Sequence, residues 1–139
     1  MVGSTNLPQL LASMSPALRD EIFVLITVKP NDPMPELDAV MRFEEAEGVT
    51  LIAPLTAAKV TKLVYEFPCR MITLNIHSSL DAVGFLAVIT KHLAALNIGV
   101  NPVSGFYHDH LFIPEDRADD VMTALAELSE KYREDITAE

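Results

Sequence analysis

Within residues 71–77, MITLNIH, apolar and polar side chains alternate from Ile72 to His77. Ile72, Leu74 and Ile76 share one face of an extended chain, and Thr73, Asn75 and His77 lie on the other face. Successive side chains of a β-strand point to opposite sides of a sheet, so this period of two predicts a strand with one buried face. The alternation also fixes the register of the strand, because a shift by one residue would expose the whole apolar set.

The elements that follow this strand predict an α+β fold. A helix is expected over 80–97, strands over 98–106 and 110–113, and an amphipathic helix over 115–133. The apolar stripe of the first helix consists of Ala82, Leu86, Ile89, Leu93 and Leu96. That of the second consists of Ala118, Val121, Met122, Leu125, Leu128 and Tyr132. The order β-α-β-β-α lacks only the last strand of a ferredoxin-like βαββαβ unit.

The first half of the chain predicts a related set of elements. A short helix is expected over 7–18 and a buried, β-branched strand over 21–28. A strand over 48–54 and a helix over 56–64 follow, with a short element at 37–43 between them. The chain is therefore predicted to form two related α+β units in tandem, each with an antiparallel sheet.

The unit boundary is predicted between residues 70 and 71. Residues 1–70 would form a degenerate N-terminal unit, and residues 71–139 a C-terminal unit that follows the ferredoxin-like order more closely. Helices on one side of an antiparallel sheet leave its other face to be covered. A second unit or a second chain would cover it, and a homodimer is predicted.

Composition excludes several partners and sites. The formal net charge of −10 disfavours nucleic acid and anionic membranes, since both repel an acidic surface. The sequence contains no run of 18 apolar residues, so no membrane span is predicted. The single cysteine, Cys69, excludes an internal disulfide and indicates a reducing cytoplasm. No nucleophile elbow, phosphate-binding loop or dinucleotide-binding motif is present, so neither an enzyme nor a cofactor is predicted.

Four segments resemble a bacterial family of small ACT-like proteins of uncharacterised function. They are HSSLDAVGFLA at 77–87, NIGVNPVSGFYHDHLFIP at 97–114, FEEAEGVTLI at 43–52 and LLASMSPAL at 10–18. That family is similar to the tandem ACT units of aspartokinases and of a cytosolic arginine sensor. The resemblance implies a non-catalytic regulatory protein with two ACT-type units and an amino-acid-type ligand. The family pattern has arginine where this chain has Glu44, so no anion-binding role is expected there.

The resemblance also implies a ligand site against the loop that joins the 71–77 strand to its helix. Backbone N–H groups at a helix start, here predicted at Ser78 and Ser79, favour a carboxylate. Gly84 would permit a close approach, and Glu47 or Asp81 would face a ligand ammonium. The predicted ligand-binding residues are His77, Ser78, Ser79, Asp81, Val83, Gly84, Asn101 and Glu47.

The HDH triplet at 108–110 allows a second interpretation. On a strand His108 and His110 share a face, and with His77 they would supply the three imidazoles of a zinc site. A hairpin bend stabilised by Asp109 explains the same residues without a metal, and no further ligand motif accompanies them. A metal-dependent enzyme and a pure oligomerisation module thus stand as alternatives to the ligand-binding regulator.

Overall fold

The computed structural model describes residues 3–138. The helices are α1 (Leu7–Ser13), α2 (Leu55–Val60), α3 (Phe85–Ala95) and α4 (Ala118–Thr137), the last preceded by a 3-10 turn at Glu115–Arg117. The strands are β1 (Ala17–Val28), β2 (Met41–Glu45), β3 (Gly48–Pro54), β4 (Glu66–Thr73), β5 (Asn101–Ser104) and β6 (Asp109–Pro114).

The chain divides into two compact units, which we call the insert unit and the terminal unit. The insert unit is Asp20–Arg70, and the terminal unit combines the segments before and after it. The two boundaries fall inside β1 and inside β4. The first 19 residues therefore belong with the second half of the chain.

The insert unit is an antiparallel sheet with one short helix. Strands β1 and β3 pair from Phe23↔Pro54 to Val28↔Val49, and β2 and β3 form a hairpin. Its core contains Val24, Ile26, Val28, Leu51, Ala53 and Ala58. Alternate residues of β1 enter this core together with Ala58 of α2, as the period of two in β1 requires.

The terminal unit packs helices α1, α3 and α4 onto its strands. Its core contains Ile72, Leu74, Leu111 and Ile113 from β4, β6 and the residues next to them. The helices contribute Leu10, Leu11, Ile89, Leu93, Val121 and Leu125. All of these side chains are at most 1% exposed, and burial of each aliphatic side chain contributes roughly 1.5–3 kcal/mol to folding.

The predicted strand phase and the α4 stripe are confirmed. The stripe predicted for the first helix is confirmed at Leu86, Ile89 and Leu93 but is wrong at Leu96, which is 46% exposed, and Ala82 lies before α3. Ile72 and Leu74 are fully buried, Ile76 is partly buried against the same core, and Asn75 is exposed. The α4 stripe is likewise in the core, with Met122 and Tyr132 at its edge. The antiparallel pairing of β5 with β6, Asn101↔Phe112 to Ser104↔Asp109, agrees with the predicted hairpin.

Several predicted boundaries are wrong. The strand expected over 71–77 ends at Thr73, because the backbone turns at Asn75, which has a φ of 48°. The helix expected from residue 80 begins at Phe85. The helix expected over 56–64 is shorter, because α2 begins at Leu55 after Pro54 and ends at Val60.

Candidate functional site

The candidate site is a cavity of about 200 Å³ in the terminal unit, which we call the Asp109 cavity. Three parts of this unit line it: the loop after β4, the first turn of α3, and the β5–β6 hairpin. The lining residues are Ser78, Ser79, Leu80, Ala82, Gly84, Phe85, Leu86, Ala87, Ser104, Gly105, His108 and Asp109. The cavity thus combines hydroxyls, a carboxylate and an imidazole with apolar walls.

Asp109 is the most unusual group in this lining. It is only 8% exposed, although buried carboxylates normally have a cationic partner. Its Oδ1 accepts a hydrogen bond of 2.6 Å from the Ser104 hydroxyl, and its Oδ2 accepts one of 3.3 Å from the Ser78 hydroxyl. Within residues 3–138 no lysine or arginine forms an ion pair with it. Among residues 3–138 the carboxyl group therefore has two hydroxyl donors and no lysine or arginine partner.

The local sequence explains how Asp109 reaches this position. It is the first residue of β6, directly opposite Ser104 of β5, and its carbonyl accepts the Leu74 N–H at 3.0 Å. Residues 109, 111 and 113 point to the same side of the strand, and Leu111 and Ile113 are in the core. The same alternation carries the Asp109 side chain inward.

The first turn of α3 supplies hydrogen-bond donors, whereas Asp109 supplies acceptors. The opening N–H groups of a helix lack intrahelical acceptors, and no side chain caps α3. Leu86 and Ala87 of this turn line the cavity. Gly84 is the N-cap and has a φ of 92°, a left-handed conformation that glycine adopts without steric cost. The cavity therefore has a carboxylate on the hairpin side and hydrogen-bond donors on the helix side.

The loop before α3 differs from its prediction. Ser78 and Ser79 do not begin a helix: the Ser78 N–H donates to Ile76 and the Ser79 N–H donates to Ser4. Gly84 lies before the first turn of α3, whereas the sequence placed it in the second turn. The Ser78 hydroxyl donates to Asp109, and the Asp81 N–H donates to the Ser79 hydroxyl at 3.1 Å.

The three histidines proposed as zinc ligands do not form a metal site. In the described part of the chain no group of three His, Cys, Asp or Glu side chains is arranged to hold a metal ion. His77 packs against the Tyr107 ring at a centroid distance of 5.5 Å, and Nδ1 of His110 is 2.9 Å from the Thr73 hydroxyl. Nδ1 of His108 is buried without a hydrogen-bond partner.

His110 has an altered proton affinity. Burial lowers its pKa, the neighbouring His108 lowers it further, and the Asp109 carboxylate acts in the opposite direction. Removal of an imidazolium from water disfavours the charged form, so His110 is more readily neutral in the folded protein.

The eight predicted ligand-binding residues lie in four places. Ser78, Ser79 and Gly84 line the Asp109 cavity. Asp81 and Val83 belong to the same loop but are exposed, and His77 precedes it. Asn101 is exposed at the far end of β5 from Ser104, and Glu47 is exposed in the β2–β3 turn of the insert unit. These assignments stay predictions.

Sequence reasoning missed the hairpin side of the cavity. It placed Asp109 in the bend, whereas the bend is Gly105–His108 and Asp109 is inside β6. The alternation of Asp109 with Leu111 and Ile113 is the signal that would have placed this carboxylate on the core side. The pairing with Ser104 follows from the same four-residue hairpin.

Comparison with known families decides the classification. Two family models, both described as ACT domain, match residues 2–70 and 66–127. The chain belongs to the ACT domain family. The α+β, ferredoxin-like tandem predicted from the sequence is thereby confirmed. ACT domains are generally regulatory modules that bind small molecules, so the coarse functional class is confirmed as well.

Several solved structures have the same fold as this chain. A Vibrio cholerae protein of unknown function, described as a possible transport protein, is 34% identical, with a TM-score of 0.79 over 91% of this chain and 98% of its own. A protein from Agrobacterium tumefaciens is 14% identical, with a TM-score of 0.72, over 84% of this chain and 89% of its own. The regulatory subunit of aspartate kinase from Thermus thermophilus is 11% identical, with a TM-score of 0.55, over 81% and 95%. A search of curated protein sequences gives no match.

Within residues 3–138, no helix of this ACT protein is both long enough and apolar enough to cross a bilayer.

Proposed function

We propose that this ACT protein is a non-catalytic regulatory protein that binds an amino-acid-type small molecule in the Asp109 cavity. The observation that carries the proposal is Asp109 itself, a carboxylate that is 8% exposed and whose side-chain donors within residues 3–138 are two serine hydroxyls. A buried charge is costly to desolvate unless a partner compensates it. A ligand ammonium would supply that partner.

The other end of such a ligand suits the α3 side of the cavity. A carboxylate at a helix N-terminus gains from the unpaired N–H groups and from the helix dipole. In the Asp109 cavity these N–H groups belong to the first turn of α3, which starts at Phe85. A zwitterion would therefore bind with its ammonium at Asp109 and its carboxylate at α3. Leu80, Phe85 and Leu86 provide apolar walls for the rest of the molecule.

A thermal-shift screen against the free amino acids tests this proposal. A ligand that binds only the folded state raises the melting temperature by mass action, by an amount that grows with concentration above Kd. Each hit is then repeated as its N-acetyl derivative, which lacks the ammonium, and as its amide, which lacks the carboxylate. We expect both derivatives to lose the shift. An equal shift from the N-acetyl derivative would contradict a role for Asp109.

We further propose that the protein is a cytoplasmic homodimer. Cys69 is buried and is the one cysteine of the sequence, which is compatible with a reducing compartment. Phe106 and Tyr107 are 61% and 58% exposed at the tip of the β5–β6 hairpin, where a second copy would cover them. Light scattering at micromolar concentration should give twice the chain mass. A monomer mass would remove the dimer from the proposal without affecting the ligand site.

A further inference from the structure

The segment before α1 lies along the loop that lines the Asp109 cavity. The Ser4 N–H donates to the His77 carbonyl at 3.0 Å, and the Ser79 N–H donates to the Ser4 carbonyl at 2.8 Å. These two bonds make Ser4 and Ser78 an isolated parallel bridge. The start of the cavity loop is thus paired with a segment more than 70 residues away in the sequence.

Gly3 makes this pairing sterically feasible. A Cβ at residue 3 would be 2.5 Å from the Ser78 carbonyl carbon, 2.6 Å from the Ser79 nitrogen and 2.7 Å from the His77 oxygen. All three are backbone atoms, which cannot rotate away as the end of a side chain can. Only glycine allows the two backbones to approach this closely.

The first residue of α1, Leu7, contacts the other end of the loop. A Cβ at Gly84 would meet Cδ2 of Leu7 at 3.3 Å, so Leu7 lies directly beside the N-cap of α3. Between these two contacts the segment has a defined shape. The Asn6 N–H donates to the Ser4 hydroxyl at 3.2 Å, and the Asn6 side chain caps α1 by accepting the Gln9 N–H at 3.1 Å.

Helix α1, which follows this segment, is held in place by α4. The Ser129 hydroxyl and Nη1 of Arg133 both donate to the Ala12 carbonyl at 3.0 Å, and Leu10 and Leu11 are buried in the core. The cavity loop has few bonds of its own. Within it the Ala82 N–H donates to the Ser79 carbonyl and the Asp81 N–H donates to the Ser79 hydroxyl, and bonds to Ser4, Ile76 and Asp109 contribute the rest of its hydrogen bonding.

We infer that residues 3–7 form a strap that holds the 78–84 loop in the conformation that encloses the Asp109 cavity. Gly3 and Ser4 are positioning residues: they shape the wall of the cavity from outside and do not contact the ligand. Occupation of the cavity and docking of the strap are therefore coupled, since each stabilises the same loop conformation. This inference has two parts, which we call the loop arm and the ligand arm. The loop arm, that the strap orders the 78–84 loop, does not depend on the proposed function. The ligand arm, that the strap strengthens ligand binding, rests on it.

Amide hydrogen exchange without any ligand tests the loop arm. The reporter is the Ala82 N–H, whose bond to Ser79 is inside the loop and not part of the strap. Its exchange rate is divided by that of the Ile89 N–H in α3, so that a general loss of stability cancels. Gly3→Ala should raise this ratio about tenfold, the effect of roughly one hydrogen bond lost from a local opening equilibrium.

The matched control is Gly99→Ala, because a Cβ at residue 99 meets no atom within 4 Å. This control should leave the ratio at the wild-type value. Ser4→Pro, which deletes the N–H that bonds to His77, is a second route to the same loss and should raise the ratio as Gly3→Ala does. An unchanged ratio in both Gly3→Ala and Ser4→Pro would overturn the strap.

The ligand arm uses calorimetry with an amino acid from the thermal-shift screen. Gly3→Ala should bind it about tenfold more weakly than Gly99→Ala. If Gly3→Ala and wild type bind equally while Asp109→Asn binds weakly, the strap is overturned and the proposed function stands. If no amino acid binds the wild type, the proposed function fails, and the exchange ratio alone decides the strap.

Discussion

Replacement of Leu74 by alanine tests the packing that forms the candidate site. Leu74 is fully buried, and its N–H donates to Asp109, so it connects the core to the cavity. Leu→Ala removes about three methyl or methylene groups, which is a transfer cost of about 2.4 kcal/mol. The Leu74 backbone is bonded on both sides, to Asp109 and from Ser15, which limits collapse into the space left behind. The residual cavity adds to the cost, and we expect a total of about 3–4 kcal/mol.

Urea denaturation followed by circular dichroism measures this loss of unfolding free energy. The matched control is Leu80→Ala, the same change at a side chain that is 69% exposed, which should cost less than about 0.5 kcal/mol. Equal m-values for the two variants would show that both unfold from comparable compact states. A loss below about 1 kcal/mol for Leu74→Ala, or equal losses in both variants, would refute the packing described here.

Three further changes test other parts of the terminal unit. Gly84→Ala should lower the unfolding free energy by about 1–3 kcal/mol, because its φ of 92° is strained for any L side chain; urea denaturation with Gly99→Ala as control measures this. Ser129→Ala should cost about 1–2 kcal/mol in the same assay. It deletes the buried bond to the Ala12 carbonyl and the bond that the Ser129 hydroxyl accepts from Arg133, but it leaves the bond from Arg133 to Ala12. The pKa of His110 is lowered in the folded protein, so the unfolded chain takes up the proton first as pH drops, and the unfolding free energy should fall below about pH 6.5. His110→Gln should flatten this pH dependence in denaturation curves measured between about pH 5 and 7.5. Identical slopes in the variant and the wild type would contradict this.

The part of the fold that follows from side-chain periodicity was predictable. The alternation through Ile72 and Leu74, and the helix stripes through Ile89 and Val121, identify core faces without any tertiary information. Long amphipathic segments specify their buried side independently of where each element ends. These predictions hold although the strand ends four residues early and α3 starts five residues late.

The boundaries and the unit division depend on contacts between distant residues. Helix α3 starts after Gly84, which has a left-handed conformation and lies beside Leu7. The apolar stripe of a helix does not predict a contact with a residue so distant in the sequence. The membership of α1 in the terminal unit follows from its packing on α4 and the bonds to Ala12. Local propensity contains no information about either arrangement.

The candidate site was half predictable for the same reason. The loop residues Ser78, Ser79 and Gly84 were identified from the ACT-like segment at 77–87. Asp109 was assigned to a turn because acidic residues are common there, although its register with Leu111 places it in a strand. The cavity exists only because the hairpin and the loop meet in three dimensions.

The central claim is that Asp109 binds the ammonium of an amino-acid-type ligand. Calorimetric titration of the wild type and of Asp109→Asn with the strongest amino-acid hit tests it most directly. Asparagine keeps the shape and can still bond to Ser78 and Ser104, but it removes the charge. A hydrogen bond to a charged group contributes about 1.5–3 kcal/mol, so affinity should fall roughly tenfold to a hundredfold, while the urea midpoint of the ligand-free protein should not fall. Equal affinity in the two proteins would contradict the claim.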